Sequence, residues 1–223
     1  MNVVLFGATG MIGQGVLREC LPDPDVKQIL SIVRTPSGQH NAKLRELVHA
    51  DFLNYSSTEA ELTGFDACFF CLGVTSAGMS EAQYTQITHD FALAAATTLA
   101  KLNPSMTFIY VSGSGTDGTE RGRSMWARVK GKTENDILKL PFKAAYMFRP
   151  GFIQPLHGIV SKTKLYRVFY TVLTPILPTI RSLFPHQILT TEQVGRAMLL
   201  VAKHGFPRPV LESEDIASLS TSR

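Results

Sequence analysis

Three cysteines in 223 residues are too few for a disulfide framework. Cys68 and Cys71 form a C-x-x-C, but within the apolar run 66–72 they read as strand residues three apart. Such positions face opposite sides of a strand and can neither clasp a metal nor pair easily. Six histidines are scattered, with no H-x-x-x-H and no carboxylate at ligand spacing, so no metal is expected. There is no G-x-S-x-G for a nucleophile elbow and no Gly-Lys-Ser/Thr to close a nucleotide triphosphatase loop. No charge of one sign is massed: the net charge is +4, and the cluster Arg121/Arg123/Arg128/Lys130/Lys132 sits in no recognised nucleic-acid module. A mild basic excess equally suits an anionic cofactor, and no nucleic-acid partner is expected.

Long apolar runs are missing too. The uncharged stretch 168–180 is shorter than the ~20 residues that a bilayer span needs, and Pro175 and Pro178 break it. A buried or lid-like segment is the preferred reading; peripheral membrane contact through 165–184 stays open. The chain opens directly on a core strand, which leaves no room for a signal peptide, so the expectation is a cytoplasmic protein.

What is present is an ordinary globular composition, 44% hydrophobic and 18% charged, in a chain suited to one domain. Short apolar strands are expected at 2–6, 29–33, 47–50, 66–72, 106–112 and 144–148. Helices are expected at 11–20, 80–102, 124–140 and 190–204, with a short strand at 209–211 and frayed residues from 218 onward. Continuous apolar strands alternating with helices imply a parallel sheet covered on both faces. After Gly151 the alternation stops, and 151–190 is expected to cap the site; its apolar character suggests a hydrophobic substrate or an oligomer contact such as a homodimer.

Gly7-Ala8-Thr9-Gly10-Met11-Ile12-Gly13 lies between the first strand and the first helix. Glycine permits the tight turn and close backbone approach to a pyrophosphate, and the helix behind it offers free N–H donors. The second strand ends Ile32-Val33-Arg34-Thr35, with no acid to bind a ribose 2′-hydroxyl. Arg34, together with Thr9, therefore favours NADP over NAD, the plainer alternative being a solvated surface arginine.

The G-x-x-G-x-x-G spacing resembles that of extended and atypical short-chain dehydrogenase/reductases. Other segments follow in the matching order. Asp51-Phe52 resembles the pair that meets the adenine ring. Cys71-Leu72-Gly73-Val74-Thr75 resembles the turn passing the middle of the cofactor. Arg149-Pro150-Gly151 matches after the sixth strand. With Val129-Lys130-Gly131-Lys132-Thr133-Glu134, the chain is similar to the group around human Tat-interacting oxidoreductase, best over residues 1–155. The resemblance implies an α/β, doubly wound parallel sheet (Rossmann) of six or seven strands in the order 3-2-1-4-5-6, with a small C-terminal cap. It also implies a cofactor held by Gly7, Thr9, Gly10, Met11, Ile12, Gly13, Arg34, Asp51, Phe52, Leu72, Gly73, Lys130, Arg149 and Pro150.

In that superfamily a serine, a tyrosine and a lysine four residues after the tyrosine carry the chemistry. The resemblance gives Ser114 (preferred over Ser112) and Lys130 those roles, and puts Trp126 where the tyrosine belongs. Indole donates a hydrogen bond but yields no proton near neutral pH. No tyrosine lies between Tyr110 and Tyr146, both within strands; Tyr84, Tyr166 or Tyr170 could come from a neighbouring segment. Three readings follow: an NADP-dependent reductase of an unidentified small or hydrophobic molecule, a non-catalytic redox sensor or partner-binding protein, or an isomerase-type enzyme with tightly held cofactor.

Overall fold

In a computed structural model of the chain, residues 1–159 and 188–221 are described. Nine strands occur among them: β1 Asn2–Phe6, β2 Gln28–Val33, β3 Leu44–Val48, β4 Ala67–Phe70, β5 Thr107–Val111, β6 Ala144–Arg149, β7 Phe152–Gln154, β8 Ile188–Thr190 and β9 Val210–Glu212. Seven of them form one sheet in the order β3-β2-β1-β4-β5-β6-β9, with every neighbouring pair parallel. The expected doubly wound α/β architecture is therefore present, with β9 as the seventh strand.

The period of two along each strand builds two cores. Val3, Leu5, Ala67, Phe69 and Ile109 face one side, covered by helices α1 Met11–Cys20, α5 Thr191–His204 and α6 Ser213–Thr221. Val4, Phe6, Cys68, Phe70, Phe108 and Tyr110 face the other, under α3 Phe91–Leu102 and α4 Met125–Leu138. Cys68 and Cys71 accordingly pack on opposite faces.

Several boundaries depart from the sequence pattern. The third strand lies at Leu44–Val48 rather than 47–50, because an edge strand tolerates the charged Arg45 and Glu46, which hide its start. The long helix after β4 is interrupted. A capping box between Ser80 and Gln83 starts α2 Glu81–Thr85, a π turn occupies Gln86–Asp90, and α3 follows. α4 ends at Leu138, ahead of Pro141, whose ring disfavours helix in the residue before it.

The residues expected to fray are instead helical as far as Thr221, anchored by buried Ile216 and Ala217. β7 and β8 pair in a small parallel sheet of their own, which frames the two ends of the expected cap. Residues 160–187, with the apolar stretch 165–184, lie outside the described residues. Among the described residues, no helix is long and apolar enough to cross a membrane.

Candidate cofactor and active site

The strand order reverses between β1 and β4, so the turns at their carboxyl ends diverge and leave a crevice. Gly7 closes β1 with φ +80°, and a Cβ there would lie 2.7 Å from the backbone nitrogen of Leu72. Only glycine lets the first turn pass the β4 turn this closely. Gly10 donates its N–H to Gly7 O at 2.9 Å, and Gln14 Nε2 donates to Thr9 O at 3.1 Å, which shapes the loop. Gly13 is buried: a Cβ on it would sit 2.1 Å from Gly7 O, so its absence lets α1 dock on the turn. No side chain caps the N-terminus of α1, which leaves its first N–H groups for an anion.

A cavity of about 410 Å³ opens on one side of this turn. Gly7, Thr9, Arg34, Phe52 and Leu72 line it, as do Gln14, Thr35, Ser37 and Gln39, which the sequence reading did not single out. Arg34 is exposed at the end of β2. Ser37 is held by Glu46 of β3, whose carboxylate accepts the Ser37 N–H at 3.0 Å and its hydroxyl. Phe52 is buried, packed against Phe91 with ring centroids 5.6 Å apart. Asp51 is exposed and turns its carboxylate to the N–H of Leu53 at 3.0 Å; it is not part of the cavity wall.

A second cavity, about 570 Å³, lies on the other side of the turn. Met11 and Ile12 contribute from α1, Trp126 and Lys130 from α4, Ser112 and Ser114 from the segment after β5, and Pro150 from the end of β6. Trp126 and Lys130, four apart on one helical face, therefore come together as their spacing requires. The Trp126 ring lies beside Gly115, 3.6 Å from the position a Cβ would take there. The Lys130 amine donates to the carbonyl of Ser112. Burial lowers its pKa to about 8, against the opposing pull of the Glu134 carboxylate one turn on.

The two serines differ. Ser114 is exposed at the rim and donates its backbone N–H to Pro150 O at 2.9 Å. Ser112 is buried, and its hydroxyl bonds to Glu134 at 2.5 Å, behind the cavity. Glu134 itself is 1% exposed and receives Arg149, with Nε to Oε1 at 3.0 Å and Nη2 to Oε2 at 2.5 Å. Arg149 also reaches Glu212 at 3.2 Å. The Arg149 side chain, assigned to the cofactor on sequence resemblance, is thus engaged with buried Glu134, while its neighbour Pro150 lines the cavity. Gly10, Gly13 and Gly73 shape or flank the turns without lining either cavity.

Tyr84 from α2 is a wall residue and 2% exposed. The sequence offered Tyr84 only as one of three tyrosines that a neighbouring segment could supply, because α2 reaches the site through tertiary packing. Tyr110 is buried among the aromatic side chains of the sheet, and the Tyr146 hydroxyl accepts the Phe206 N–H at 3.0 Å away from the cavity. Tyr166 and Tyr170 lie outside the described residues.

Comparisons with known proteins bear on the family and the fold. A family model described as NAD(P)H-binding matches residues 7–139. "Protein fmp52, mitochondrial" of Emericella nidulans is 33% identical over 159 residues, 68% of this chain and 66% of that protein. The Saccharomyces cerevisiae protein of the same name is 30% identical, with 74% of this chain and 69% of that protein covered. The chain thus spans about two thirds of the length of such relatives. Among solved structures, a UDP-N-acetylglucosamine 4-epimerase from Methanobrevibacter ruminantium has a TM-score of 0.69 at 17% identity, over 95% of this chain and 75% of that one. A short-chain dehydrogenase/reductase from Saccharomyces cerevisiae has a TM-score of 0.65 at 14% identity, over 98% of each chain. At those identities the likeness speaks for the fold alone.

Two expectations change. The relatives are of the fmp52 type rather than the Tat-interacting group, and their mitochondrial names overturn the expectation of a cytoplasmic protein, which rested only on the absence of a visible leader. Carrying the glycine turn at the switch point of a seven-stranded parallel sheet, this chain belongs to the NAD(P)H-binding family and has a Rossmann fold.

Proposed function

We propose that the protein is an NADP(H)-dependent reductase acting on a small hydrophobic carbonyl compound or quinone. The observation that carries this reading is the convergence of Lys130, Ser112 and the turn residues Met11 and Ile12 on one largely apolar cavity. NADPH would supply the hydride. Arg34 and Thr9 line the neighbouring cavity, where Arg34 would pair with the 2′-phosphate and thereby favour NADP over NAD. The residues fit the cofactor: Gly7 lacks the Cβ that would close the approach, and the N-terminus of α1 is uncapped by any side chain. Lys130 would hold the nicotinamide ribose and lend positive charge. The walls formed by Met11, Ile12, Phe152 and Ile153 would exclude water and favour an apolar substrate. The names of the relatives support a mitochondrial site of action, which fractionation of cells expressing the tagged full chain would test.

A second reading, a sensor that binds NADP(H) without turnover, rests on Trp126 in the place of the usual tyrosine. One titration bears on both. The chain has a single tryptophan, so energy transfer from Trp126 to the reduced nicotinamide reports on this cavity. Saturable transfer with NADPH, weaker with NADH, is the expected result. No transfer and no quenching with either would remove the cofactor reading at this site. Bound NADPH that no small aldehyde, ketone or quinone oxidises would favour the sensor.

A further inference from the structure

A lysine amine rides on a flexible stem, so a lysine that is to hold a cofactor must itself be held. The Lys130 amine donates to the Ser112 carbonyl. That carbonyl follows the end of β5 and opens the run Gly113-Ser114-Gly115, where glycine gives the backbone wide freedom. Its direction has to be fixed through Ser112. The Ser112 N–H donates to Phe148 O at 2.9 Å, and the Ser112 hydroxyl meets Glu134 Oε1 at 2.5 Å and Phe148 O at 3.2 Å.

Glu134 stands one turn after Lys130 on α4, so a single helix grips Ser112 by both its carbonyl and its hydroxyl. The carboxylate is itself oriented. Arg149 of β6 donates Nε to Oε1 at 3.0 Å and Nη2 to Oε2 at 2.5 Å, a forked pairing that fixes the plane of the group. Glu212 of β9 takes the remaining Arg149 nitrogen at 3.2 Å. Charges thus alternate from the cavity wall to the edge strand, through Lys130, Glu134, Arg149 and Glu212. The field at the amine matters as much as its place. Burial draws the Lys130 pKa down to about 8, and the Glu134 carboxylate opposes that pull.

We propose that Glu134 is a positioning residue for the cofactor site, holding the Lys130 ammonium on the cavity wall through Ser112 and through its own negative charge. The inference rests on the reading that Lys130 holds the nicotinamide ribose. Glu134 is 1% exposed and lies behind the cavity, so it acts only through its neighbours. By the first route it pins Ser112, whose carbonyl then faces the amine. By the second it keeps the proton on an amine that burial would otherwise strip. An ammonium with one N–H on Ser112 has two left for the hydroxyl oxygens of a ribose. The two routes separate chemically: a glutamine keeps an acceptor without the charge, and loss of the Ser112 hydroxyl keeps the charge without the pin.

The test uses the full chain and reads NADPH and NADH affinity from neutral pH upward, by energy transfer from Trp126. In the wild type both affinities should fall as pH climbs past about 8, where Lys130 loses its proton. Lys130→Met should weaken both nucleotides at neutral pH and remove this dependence. Glu134→Gln should move the midpoint down by about one pH unit, which weakens both nucleotides about 5-fold at the wild-type midpoint. Ser112→Ala should weaken both by about 3- to 10-fold and leave the midpoint where it was. A folded Glu134→Gln with the wild-type midpoint overturns the proposal and leaves the reading of Lys130 intact. So does Ser112→Ala at full affinity; this variant leaves the Glu134–Arg149 pair whole and decides the matter if the glutamine form does not fold. Binding indifferent to both pH and Lys130→Met overturns the ribose role of Lys130, and that of Glu134 with it. A wild type that binds neither nucleotide removes the cofactor reading itself.

Discussion

The two ends of the crevice are built by different means. At the glycine-turn end, backbone makes most of the site: Gly7, Gly10 and the first turn of α1 follow one another in sequence, and Arg34 closes the neighbouring strand. At the Trp126 end, side chains make it, and they arrive from α1, α2, α4, the β4 turn and the segments after β5 and β6. A site made of consecutive backbone needs one correct turn. A site made of side chains from separate elements needs every supporting contact, and here buried Glu134 supplies two of them, to Ser112 and Arg149.

The sharpest way to break this contrast is at Glu134. Glu134→Ala leaves the Arg149 guanidinium with only Glu212 and removes the nearer of the two acceptors of the Ser112 hydroxyl, the Phe148 carbonyl at 3.2 Å remaining. Urea unfolding should show a loss of about 3–5 kcal/mol. The counterpart at the other end, Glu46→Ala beside exposed Ser37, should cost under about 1 kcal/mol. Equal losses would mean that both ends depend alike on side-chain support.

A pH signature at Lys130 comes next. Its amine titrates at about 8 in the folded chain against an ordinary 10.5. Between those values the unfolded chain binds more protons, so stability rises with pH. Below them the full penalty for burying the charge is present. Wild type should therefore gain stability relative to Lys130→Met as pH climbs from neutral to 10.5, read by denaturation at each pH. A flat difference would show that the amine is as well hydrated as a surface lysine.

Arg34→Ala tests the glycine-turn end alone. Loss of a charge-assisted contact should weaken NADPH by about 10–100-fold and leave NADH unchanged, read by quenching of Trp126. An equal loss for both cofactors would place Arg34 on a shared part of the molecule. The smallest effects separate the two serines. Ser112→Ala should cost about 1–3 kcal/mol by leaving Glu134 short of a donor, whereas Ser114→Ala at the rim should stay within about 0.5 kcal/mol.

Much of the scaffold was legible because strands and helices here carry strong local signals. β1 and α1 match the expected 2–6 and 11–20, and the apolar runs at β4 and β5 differ only at their ends. The misses have physical reasons. The edge strand β3 has no fully buried position and exposes Arg45 and Val48, so its apolar pattern is diluted. β7 and β8 are three residues each and pair across a long separation, which no local pattern announces. α6 looks like a polar tail until Ile216 and Ala217 find the core.

At the site, spacing was enough to bring Trp126 and Lys130 onto one helical face and to mark the glycine turn. It was not enough to tell that Arg149 turns to Glu134, or that Ser112 lies deeper than Ser114. Those outcomes depend on which carboxylate is buried nearby, and Glu134 carries no sign of that in the sequence. Tyr84 is the same case in reverse. Its position in α2 says nothing of the cavity until α2 packs beside α4, where Glu81 meets Arg128.

The sequence by itself determined the alternation of strand and helix, the turn that only glycine can make, and the spacing of Trp126 and Lys130 on one helical face, since each is a property of neighbours along the chain. The tertiary structure alone decided which hydroxyls, carboxylates and amines share a wall, because burial and charge pairing are settled between elements that meet only once the sheet has closed.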